Sequence, residues 1–459
     1  MKNSLNMTKG SIFRCLISFA IPVLIGNIFQ QLYNVADTAI IGNFLGDDAL
    51  AAVGAAAPVY GLLIGFAGGL TNGFAVIIAR YFGAGDEKMM KKAVALTYVL
   101  SAATALVLTV ASALSLDPLL RSLSTPKEIM ADTKGYLMTI ILFSAVTIAY
   151  NMFAGMMRAV GNTKAPLIFL VISTFVNIIL DVLFVKGFGL GVSGAAAATV
   201  ISQVISAALC MAYMYKRCPI LIFRKSRLTM DKALLGDLFT TGISMGLMYA
   251  IVSVGSVILQ GAVNSFGKAT ITAHTAARKI DDIFMLPLGT IAMSSSTFAS
   301  QNFGAGRIDR VKKGIRYSIL LAMGWSLISL LVVLTLRRPL VHWLTGTADP
   351  TVIRISSKYI IWNVSFFCVL SILLVLRSSL QGVGRKLVPI CGSAVEFLMK
   401  IAASAVLAPK LGYFGICICE PVIWIACAVI VLIDYSVFLR KYHLSSGCSV
   451  DRRGAAVVQ

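Results

Sequence analysis

Long apolar runs constrain this chain more than any other feature of its sequence. Residues 93–116 and 138–157 each reach or exceed the roughly 20 residues that an α-helix needs to cross the hydrocarbon core of a bilayer. Of the 459 residues, 58% are hydrophobic and 13% are charged, whereas a soluble domain carries about 25% charged residues. A soluble core cannot bury this much apolar surface. The sequence therefore predicts an all-α integral membrane protein.

The apolar runs predict twelve transmembrane helices. We expect them near residues 12–42, 50–79, 93–116, 135–157, 166–185, 193–215, 234–265, 269–300, 315–336, 351–376, 387–408 and 413–439. With both termini in the cytoplasm, most of the 40 lysines and arginines fall on the cytoplasmic side, in agreement with the positive-inside rule. Topology thus accounts for the formal net charge of +21, and nucleic acid is not an expected partner. We expect a multi-pass protein of the cell membrane, in contact with the lipid bilayer.

Short loop motifs recur at a nearly constant spacing. Phe82-Gly83-Ala84-Gly85 reappears as Phe303-Gly304-Ala305-Gly306, 221 residues later. The same spacing, or one that is two residues longer, relates the motifs at 43–46 and 264–267, at 160–161 and 383–384, and at 190–194 and 411–415. Six spans per half is an even number, so both halves enter the membrane from the same side. The repeat therefore predicts two six-helix bundles related by a pseudo-twofold axis along the membrane normal.

The repeat also sets the expected domain organisation. We expect an N-terminal six-helix lobe at residues 1–215, a cytoplasmic connector at 216–232, a C-terminal six-helix lobe at 233–440 and a cytoplasmic tail at 441–459. Transporters of this build hold substrate near the midplane between their halves. The chain has three histidines, no H-E-x-x-H motif and no nucleophile elbow, so neither an enzyme nor a cofactor is expected, and no metal beyond Na⁺.

Acidic side chains within the spans indicate the candidate site. A carboxylate in the membrane is costly and usually lies on an ion or substrate path. Asp37 and Asp181 have no cation within four residues on their own helices, and Asn177 lies one turn before Asp181 on the same face. Their oxygens suit Na⁺, and two buried acids side by side also favour the uptake of a proton. The alternative is a structural hydrogen-bonded cluster with no role in transport.

Three motifs carry a resemblance to a known family. The run Tyr33-Asn34-x-x-Asp37-Thr38, the doubled Phe-Gly-Ala-Gly loops and the segment 158–164 resemble the multidrug and toxic compound extrusion (MATE) family, from about residue 10 to about residue 440. One branch of the family has acidic residues in the seventh and tenth helices. The seventh and tenth spans of this chain lack them, so the chain is most similar to the other branch, the DinF-like one. The resemblance implies that the coupling ion binds in the N-terminal lobe at Asp37, Asn177, Asp181 and Thr199, with Tyr33 and Asn151 as neighbours.

The resemblance also implies that the first helix bends at Pro22 and Gly26, although a static kink explains a proline equally well. Candidate residues of a substrate cavity are Gln30, Phe153, Met156, Met245, Met248, Gln260, Arg278, Asp282 and Met293. Methionine and aromatic side chains offer adaptable apolar contacts, but the same residues could equally pack between helices or face lipid. Arg278 and Asp282 have the i,i+4 spacing of a neutral ion pair, and so do Glu396 and Lys400.

These features favour a cation-coupled antiporter, driven by H⁺, Na⁺ or both, that exports amphipathic and often cationic compounds as a monomer. The alternative is a lipid-linked oligosaccharide flippase of the same superfamily, which would need a strongly cationic cavity for its pyrophosphate. The acidic residues of the first half favour the antiporter.

Overall fold

The computed structural model describes residues 5–123, 125–227, 231–345 and 349–444. Within these ranges the chain forms helices joined by short loops, and no residue is in a β-strand. Most of the predicted tail, from residue 445 onwards, lies outside the described residues.

The first half of the chain holds seven α-helices, and the second half holds eight. The first seven are α1 (Ile12–Leu45), α2 (Asp47–Ala84), α3 (Glu87–Ser122), α4 (Lys127–Leu142), α5 (Ser144–Ala159), α6 (Lys164–Asp181) and α7 (Gly191–Arg217). The others are α8 (Lys232–Asn264), α9 (Lys268–Gly304), α10 (Ile308–Thr345), α11 (Pro350–Ser365), α12 (Phe367–Gly382), α13 (Leu387–Ala402), α14 (Ala408–Leu411) and α15 (Tyr413–Leu444). Short π-helical segments, Val182–Gly187 and Ala403–Leu407, extend α6 and α13.

Twelve spans were predicted, and the described ranges contain them. Ten helices are long and apolar enough to cross a membrane, and two bent helix pairs bring the number to 12. The spans predicted at 135–157 and 351–376 are these bent pairs, α4–α5 and α11–α12, and each turns by 50° at its break. Phe143 and Phe366 stand at the breaks. Because neither is a proline or a glycine, the sequence gives no local sign of a break there.

The internal repeat reappears in the backbone. Positive φ angles recur at four pairs of glycines, Gly46 and Gly267, Gly85 and Gly306, Gly161 and Gly384, and Gly191 and Gly412. A residue with a Cβ is strained at positive φ, so these turns explain why the loop motifs repeat. The 50° breaks and the π-helical segments also recur in both halves. The chain is thus two six-helix bundles related by a pseudo-twofold axis.

Each bundle buries its own hydrophobic core. In the first, Ile77, Leu96 and Met157 are fully or almost fully buried between α2, α3 and α5. In the second, Val375 and Leu376 of α12 hold the equivalent position against α9, α10 and α15. These cores fix the helices that carry the polar residues described below.

The two bundles meet along α2 and α8, which run antiparallel and then diverge. A Cβ added to Gly73 would lie 2.6 Å from the Cα of Gly242, and one added to Gly69 would lie 2.6 Å from the carbonyl oxygen of Met245. Further along the same face of α2, Gly61 has nothing within 4 Å of the equivalent position. Glycines recur every four residues along α2, at positions 61, 65, 69 and 73, and the two nearer the end of the helix make the close contact.

The closed end of the interface lies where α1 begins and α2 and α9 end, and we call this end the N-terminal face. Gly83 packs on the backbone of Gln301, and reciprocally Gly304 packs on the backbone of Arg80. Because 83 and 80 are the repeat equivalents of 304 and 301, the pseudo-twofold axis passes between these two contacts. Arg80 also pairs across the interface with Asp237 of α8, at 3.3 Å.

Residues 5–9 add a further contact at the N-terminal face. The backbone N–H of Met7, which is fully buried, donates to Oε1 of Gln301 at 3.0 Å. The amide of Gln301 in turn donates to the carbonyl oxygen of Ala159 at 2.8 Å, so one side chain joins the N-terminal segment, α9 and α5. The bundles are consequently in contact at the N-terminal face, and towards the opposite face the contact between α2 and α8 ends before Gly61.

Candidate functional site

Asp37 on α1 and Asp181 at the end of α6 come together inside the first bundle. Asp37 is 7% exposed, Asp181 is 0% exposed, and the two carboxyl groups are close enough to interact electrostatically. Asn177 lies one turn before Asp181 and is also fully buried. Oδ1 of Asp37, both carboxyl oxygens of Asp181 and both amide atoms of Asn177 have no hydrogen-bond partner among the described residues. Buried polar atoms normally have partners, so these oxygens are available as ligands.

Tyr33 and Thr199 join α1 to α7 beside the acid pair. The hydroxyl of Tyr33 donates to Oγ1 of Thr199 at 2.7 Å, and both side chains are buried. Tyr33 precedes Asp37 by one helical turn, so this hydrogen bond holds the acidic face of α1 towards α7. Asp37 lies about two turns before the end of α1, which places the site roughly 12 Å from the open face. Thr199 lies at a similar distance from the start of α7.

None of the ion pairs in the described ranges involves Asp37 or Asp181. The first bundle thus contains two buried acids without a cationic side chain to neutralise them. Carboxylate, amide and hydroxyl oxygens form a ligand set for a hard monovalent cation, and the carboxylates also accept protons.

Two tyrosines that the sequence reasoning missed stand next to the acid pair. Tyr60 of α2 and Tyr136 of α4 both lie within electrostatic reach of Asp37. A tyrosine in an apolar span usually packs with its ring, so its presence alone indicates no site. The repeat gives the one sequence signal for a role of Tyr136. This residue corresponds to Tyr359 in the second half, and Tyr359 lies beside another group of charged residues.

Asn151, the other predicted neighbour of the ion site, lies in different surroundings. Nδ2 of Asn151 donates to the carbonyl oxygen of Thr147 in its own helix, at 3.0 Å. The hydroxyl of Thr147 donates to Gln203 of α7 at 2.5 Å, so Asn151 belongs to a polar contact between α5 and α7. Helix α1 continues through Pro22, and both Pro22 and Gly26 are buried.

A small cavity of about 70 Å³ lies between the two bundles. Met245, Met248 and Met293 line it, as predicted for a substrate cavity, together with Arg158 and Gln381. Nη2 of Arg158 donates to the amide oxygen of Asn72 at 3.3 Å across this space.

Three other candidates for the substrate cavity lie elsewhere. Phe153 and Met156 are almost fully buried in the core of the first bundle, and the Phe153 ring packs 5.9 Å from that of Tyr98. Their apolar side chains therefore stabilise that bundle instead of lining the cavity. Gln30 is exposed on α1, about two turns before Asp37.

The second bundle contains a continuous network of charged side chains. The two predicted ion pairs, Arg278–Asp282 and Glu396–Lys400, are present, and Glu420 of α15 joins them. The order is Arg377, Glu396, Lys400, Glu420, Arg278 and Asp282, with successive N–O distances of 3.7, 3.1, 3.4, 3.6 and 3.8 Å. Lys400 is 2% exposed and Glu420 is 5% exposed, so the middle of the network is buried.

A cavity of about 190 Å³ adjoins this network, between α8, α9 and α15. Polar side chains that line it are Ser256, Gln260, His274, Thr275, Arg278, Lys279 and Glu420. Gln260 thus lines this cavity and not the one between the bundles, and its amide donates to Asn264 at 3.0 Å.

Comparisons with known proteins agree with this architecture. The family model MatE matches residues 22–183 and again residues 245–406. The probable multidrug resistance protein YoeA of Bacillus subtilis (strain 168) is 32% identical over 321 residues, which cover 68% of this chain and 69% of YoeA. YpnP, a probable multidrug resistance protein of the same organism, is 25% identical over 414 residues, 90% of this chain and 92% of YpnP.

A solved structure described as the outward-facing conformation of a multidrug resistance MATE family transporter of the MOP superfamily has the same fold. Its TM-score is 0.88 at 20% identity, over 95% of this chain and 98% of that one. The family model matches once in each six-helix bundle and covers most of the chain. This chain therefore belongs to the MATE family of membrane transporters, and it is not an enzyme.

Proposed function

We propose that this chain is a cation-coupled antiporter that exports amphipathic, often cationic compounds across the cell membrane by alternating access. The observation that carries this proposal is the buried, uncompensated pair of Asp37 and Asp181. Two carboxylates at short range repel each other, and burial adds the cost of removing both from water. Binding of H⁺ or Na⁺ relieves both costs, so the pair acts as the site of the coupling ion, as in the DinF-like branch.

Helix α1 is suited to couple this site to the interface between the bundles. It carries Asp37 and Tyr33, and Nδ2 of Asn27 on the same helix donates to Thr290 of α9 at 3.4 Å. Pro22 removes one backbone hydrogen bond, and Gly26 lowers the resistance of the helix to bending. A change in ion occupancy at Asp37 that bends α1 therefore also alters a contact with the second bundle. Antiport requires only that ion and cargo favour different states of the cycle.

The cavity between the bundles supports export of varied apolar compounds. Its methionines adapt to ligands of different shape, and both curated relatives carry multidrug resistance in their names. The two bundles of one chain enclose this cavity without a second copy, which supports a monomer as the transporting unit.

The charge distribution supports a cytoplasmic N-terminal face. In that orientation both termini and the connector at 216–232 are cytoplasmic, and the described state is closed to the cytoplasm and open outward. Transport then consists of the lobes at 1–215 and 233–440 rocking about this connector to open the N-terminal face.

The test is uptake of ethidium into inverted proteoliposomes, with Na⁺ and pH gradients imposed separately. We expect Asp37→Asn and Asp181→Asn to abolish gradient-driven accumulation, because an amide holds neither a proton nor the charge that attracts Na⁺. Asp132→Asn is the matched control, because Asp132 is an exposed acid of the same lobe. Full accumulation by a well-folded Asp37→Asn protein would refute the assignment, and the gradient that drives the parent identifies the ion.

A lipid-linked oligosaccharide flippase is the second candidate, and one observation favours it. Arg158 lines the cavity between the bundles, and a guanidinium is suited to bind a pyrophosphate. The test is deletion of the gene. A rise in the level of lipid-linked precursors, with drug sensitivity unchanged, would favour the flippase.

A further inference from the structure

The cavity of the second bundle contains an arginine with unused hydrogen-bonding capacity. A guanidinium has five N–H donors, and a direct hydrogen bond to a carboxylate is about 2.7–2.9 Å long. The carboxylate oxygens of Glu420 and Asp282 lie 3.6 and 3.8 Å from Arg278, beyond that range. The one hydrogen bond of Arg278 among the described residues is a long one, 3.4 Å, to the hydroxyl of Tyr359. Arg278 therefore faces the cavity with most of its donors free.

The charges that line this cavity are predominantly positive. Arg278 and Lys279 are its cations, and Glu420 is the one acid among the described lining residues. The carboxylate oxygen of Glu420 that faces Arg278 also lies 3.4 Å from the ammonium group of Lys400, which compensates part of the negative charge of Glu420. Lys279 is exposed and forms no ion pair with a described residue. Asp282, on the other side of Arg278, has a side chain that is 54% exposed.

This cavity occupies the repeat equivalent of the ion site in the first bundle. Asn177 corresponds to Lys400, Thr199 to Glu420, Tyr60 to Asp281 and Tyr136 to Tyr359, at the spacings that relate the flanking glycines. Tyr136 lies near Asp37, whereas Tyr359 lies near Arg278. The same position in the scaffold thus holds two uncompensated acids in one bundle. In the other it holds a partly unsatisfied arginine with Asp281, a buried acid, within electrostatic reach.

We propose that the cavity at Arg278 and Lys279 binds the anionic group of a cargo molecule, a carboxylate or a phosphate. A volume of about 190 Å³ accommodates such a group with part of its attached scaffold. His274, Gln260 and Ser256 supply further polar contacts around it. The inference rests on the proposed export function and extends its substrate class from cations to zwitterions, with the anionic end held in the second bundle.

Two dyes with one fluorophore provide the test. Rhodamine 110 carries a free carboxylate, and rhodamine 123 is its methyl ester, so the pair differs at the anionic group alone. Accumulation of each dye is measured in inverted proteoliposomes of phosphatidylcholine with an imposed gradient of the coupling ion. Arg278→Gln removes the charge and keeps a polar side chain, Arg278→Lys retains the charge, and Arg354→Gln removes an exposed arginine of the same lobe as a control.

We expect Arg278→Gln to lower the rate for rhodamine 110 about tenfold, a loss of about 1.4 kcal/mol, because the variant lacks the charge that holds the carboxylate. The rate for rhodamine 123 stays within about twofold, Arg278→Lys recovers part of the loss for rhodamine 110, and Arg354→Gln matches the parent. An unchanged ratio of the two rates in Arg278→Gln, with rhodamine 123 still accumulated, overturns the proposal. Loss of gradient-driven accumulation of both dyes in the parent protein would instead contradict the proposed antiport.

A lipid headgroup carries the same phosphate chemistry, and a second set of vesicles separates the two sources. The ratio of the rhodamine 110 rate to the rhodamine 123 rate is measured for the parent protein in vesicles that contain phosphatidylglycerol. If the cavity binds cargo, this ratio is the same as in phosphatidylcholine vesicles. If the ratio instead falls to the value of Arg278→Gln, the cavity binds lipid phosphate, and the assignment to cargo is overturned.

Discussion

The contact between Gly73 and Gly242 predicts that one methyl group will open the N-terminal face. In Gly73→Ala the new Cβ would lie 2.6 Å from the Cα of Gly242 and 2.7 Å from the carbonyl oxygen of Thr241. Carbon atoms in contact are normally about 3.5–4.0 Å apart, so α8 has to retreat by about an ångström. The obstructing atoms belong to backbone, which cannot rotate away as the end of a long side chain can.

The size of the effect follows from the overpacking alone. Overpacking at a tight contact costs about 1–3 kcal/mol, whereas the higher helix propensity of alanine stabilises α2 equally in the closed and open states and cancels. The closed arrangement therefore loses about 1–3 kcal/mol relative to states in which α2 and α8 are apart, and those states gain population by about five- to 150-fold. Gly61→Ala is the matched control, since Gly61 lies on the same face of α2 and has nothing within 4 Å.

The assay is the distance between two spin labels at the N-terminal face, measured by electron spin resonance. Lys88→Cys and Asp309→Cys provide the labelling sites, because both are exposed and are repeat equivalents near the starts of α3 and α10. Replacing Cys368, Cys391 and Cys448 by alanine removes background labelling, since the other native cysteines are buried. We expect Gly73→Ala to add a population with a longer distance, whereas Gly61→Ala reproduces the parent distribution. Identical distributions for Gly73→Ala and the parent would show that this contact does not limit closure.

Two further variants test the polar sites. Tyr33→Phe removes the 2.7 Å hydrogen bond to Thr199, which contributes about 1 kcal/mol. We therefore expect the apparent affinity for the coupling ion to fall about fivefold when uptake is measured over a series of ion gradients. The control Tyr317→Phe, at an exposed tyrosine, has no effect. An unchanged ion affinity would exclude a role for Tyr33 in holding α1 at the site. Lys400→Ala removes the cation that Glu396 and Glu420 share and leaves each carboxylate with one guanidinium at 3.7 or 3.6 Å, a loss of at most about 3–5 kcal/mol. The thermal unfolding midpoint in detergent should therefore fall below that of exposed Lys358→Ala. Equal midpoints for the two lysine variants would mean that the network does not stabilise the second bundle.

Sequence patterns predicted the scaffold well because its determinants are local. An apolar run long enough to cross the membrane has few alternatives to a spanning helix. The repeated glycines mark turns with positive φ, a constraint that acts within a few residues. The breaks at Phe143 and Phe366 were missed because they arise from packing between helices, with no proline or glycine to announce them.

The sites were predicted less evenly, since they depend on which helix faces meet. Asp37 and Asp181 stood out because acids are rare in spans, and their neighbours Tyr60 and Tyr136 did not, because aromatic residues are common there. The ion pairs at Arg278 and Lys400 were visible as i,i+4 spacings. The link between these two ion pairs through Glu420 was not visible in the sequence, because it joins three helices that are distant along the chain. Phe153 looked like a cavity residue for a similar reason, since hydrophobicity in a span does not distinguish core from cavity.

The contrast between the two bundles bears on how one ion site can drive the whole cycle. In the second bundle Lys400 stands where Asn177 stands in the first, and its ammonium group already lies within 3.4 Å of two buried carboxylates. A tethered cation of this kind cannot leave, so Glu396 and Glu420 keep their counter-charge whichever ion is present. The acids of the first bundle lack such a cation, and their charge changes whenever a proton or Na⁺ binds or departs. Under the proposed antiport, ion binding at Asp37 and Asp181 therefore changes the charge of the first bundle, and the contacts of α1 and α2 with the second bundle transmit the resulting structural change.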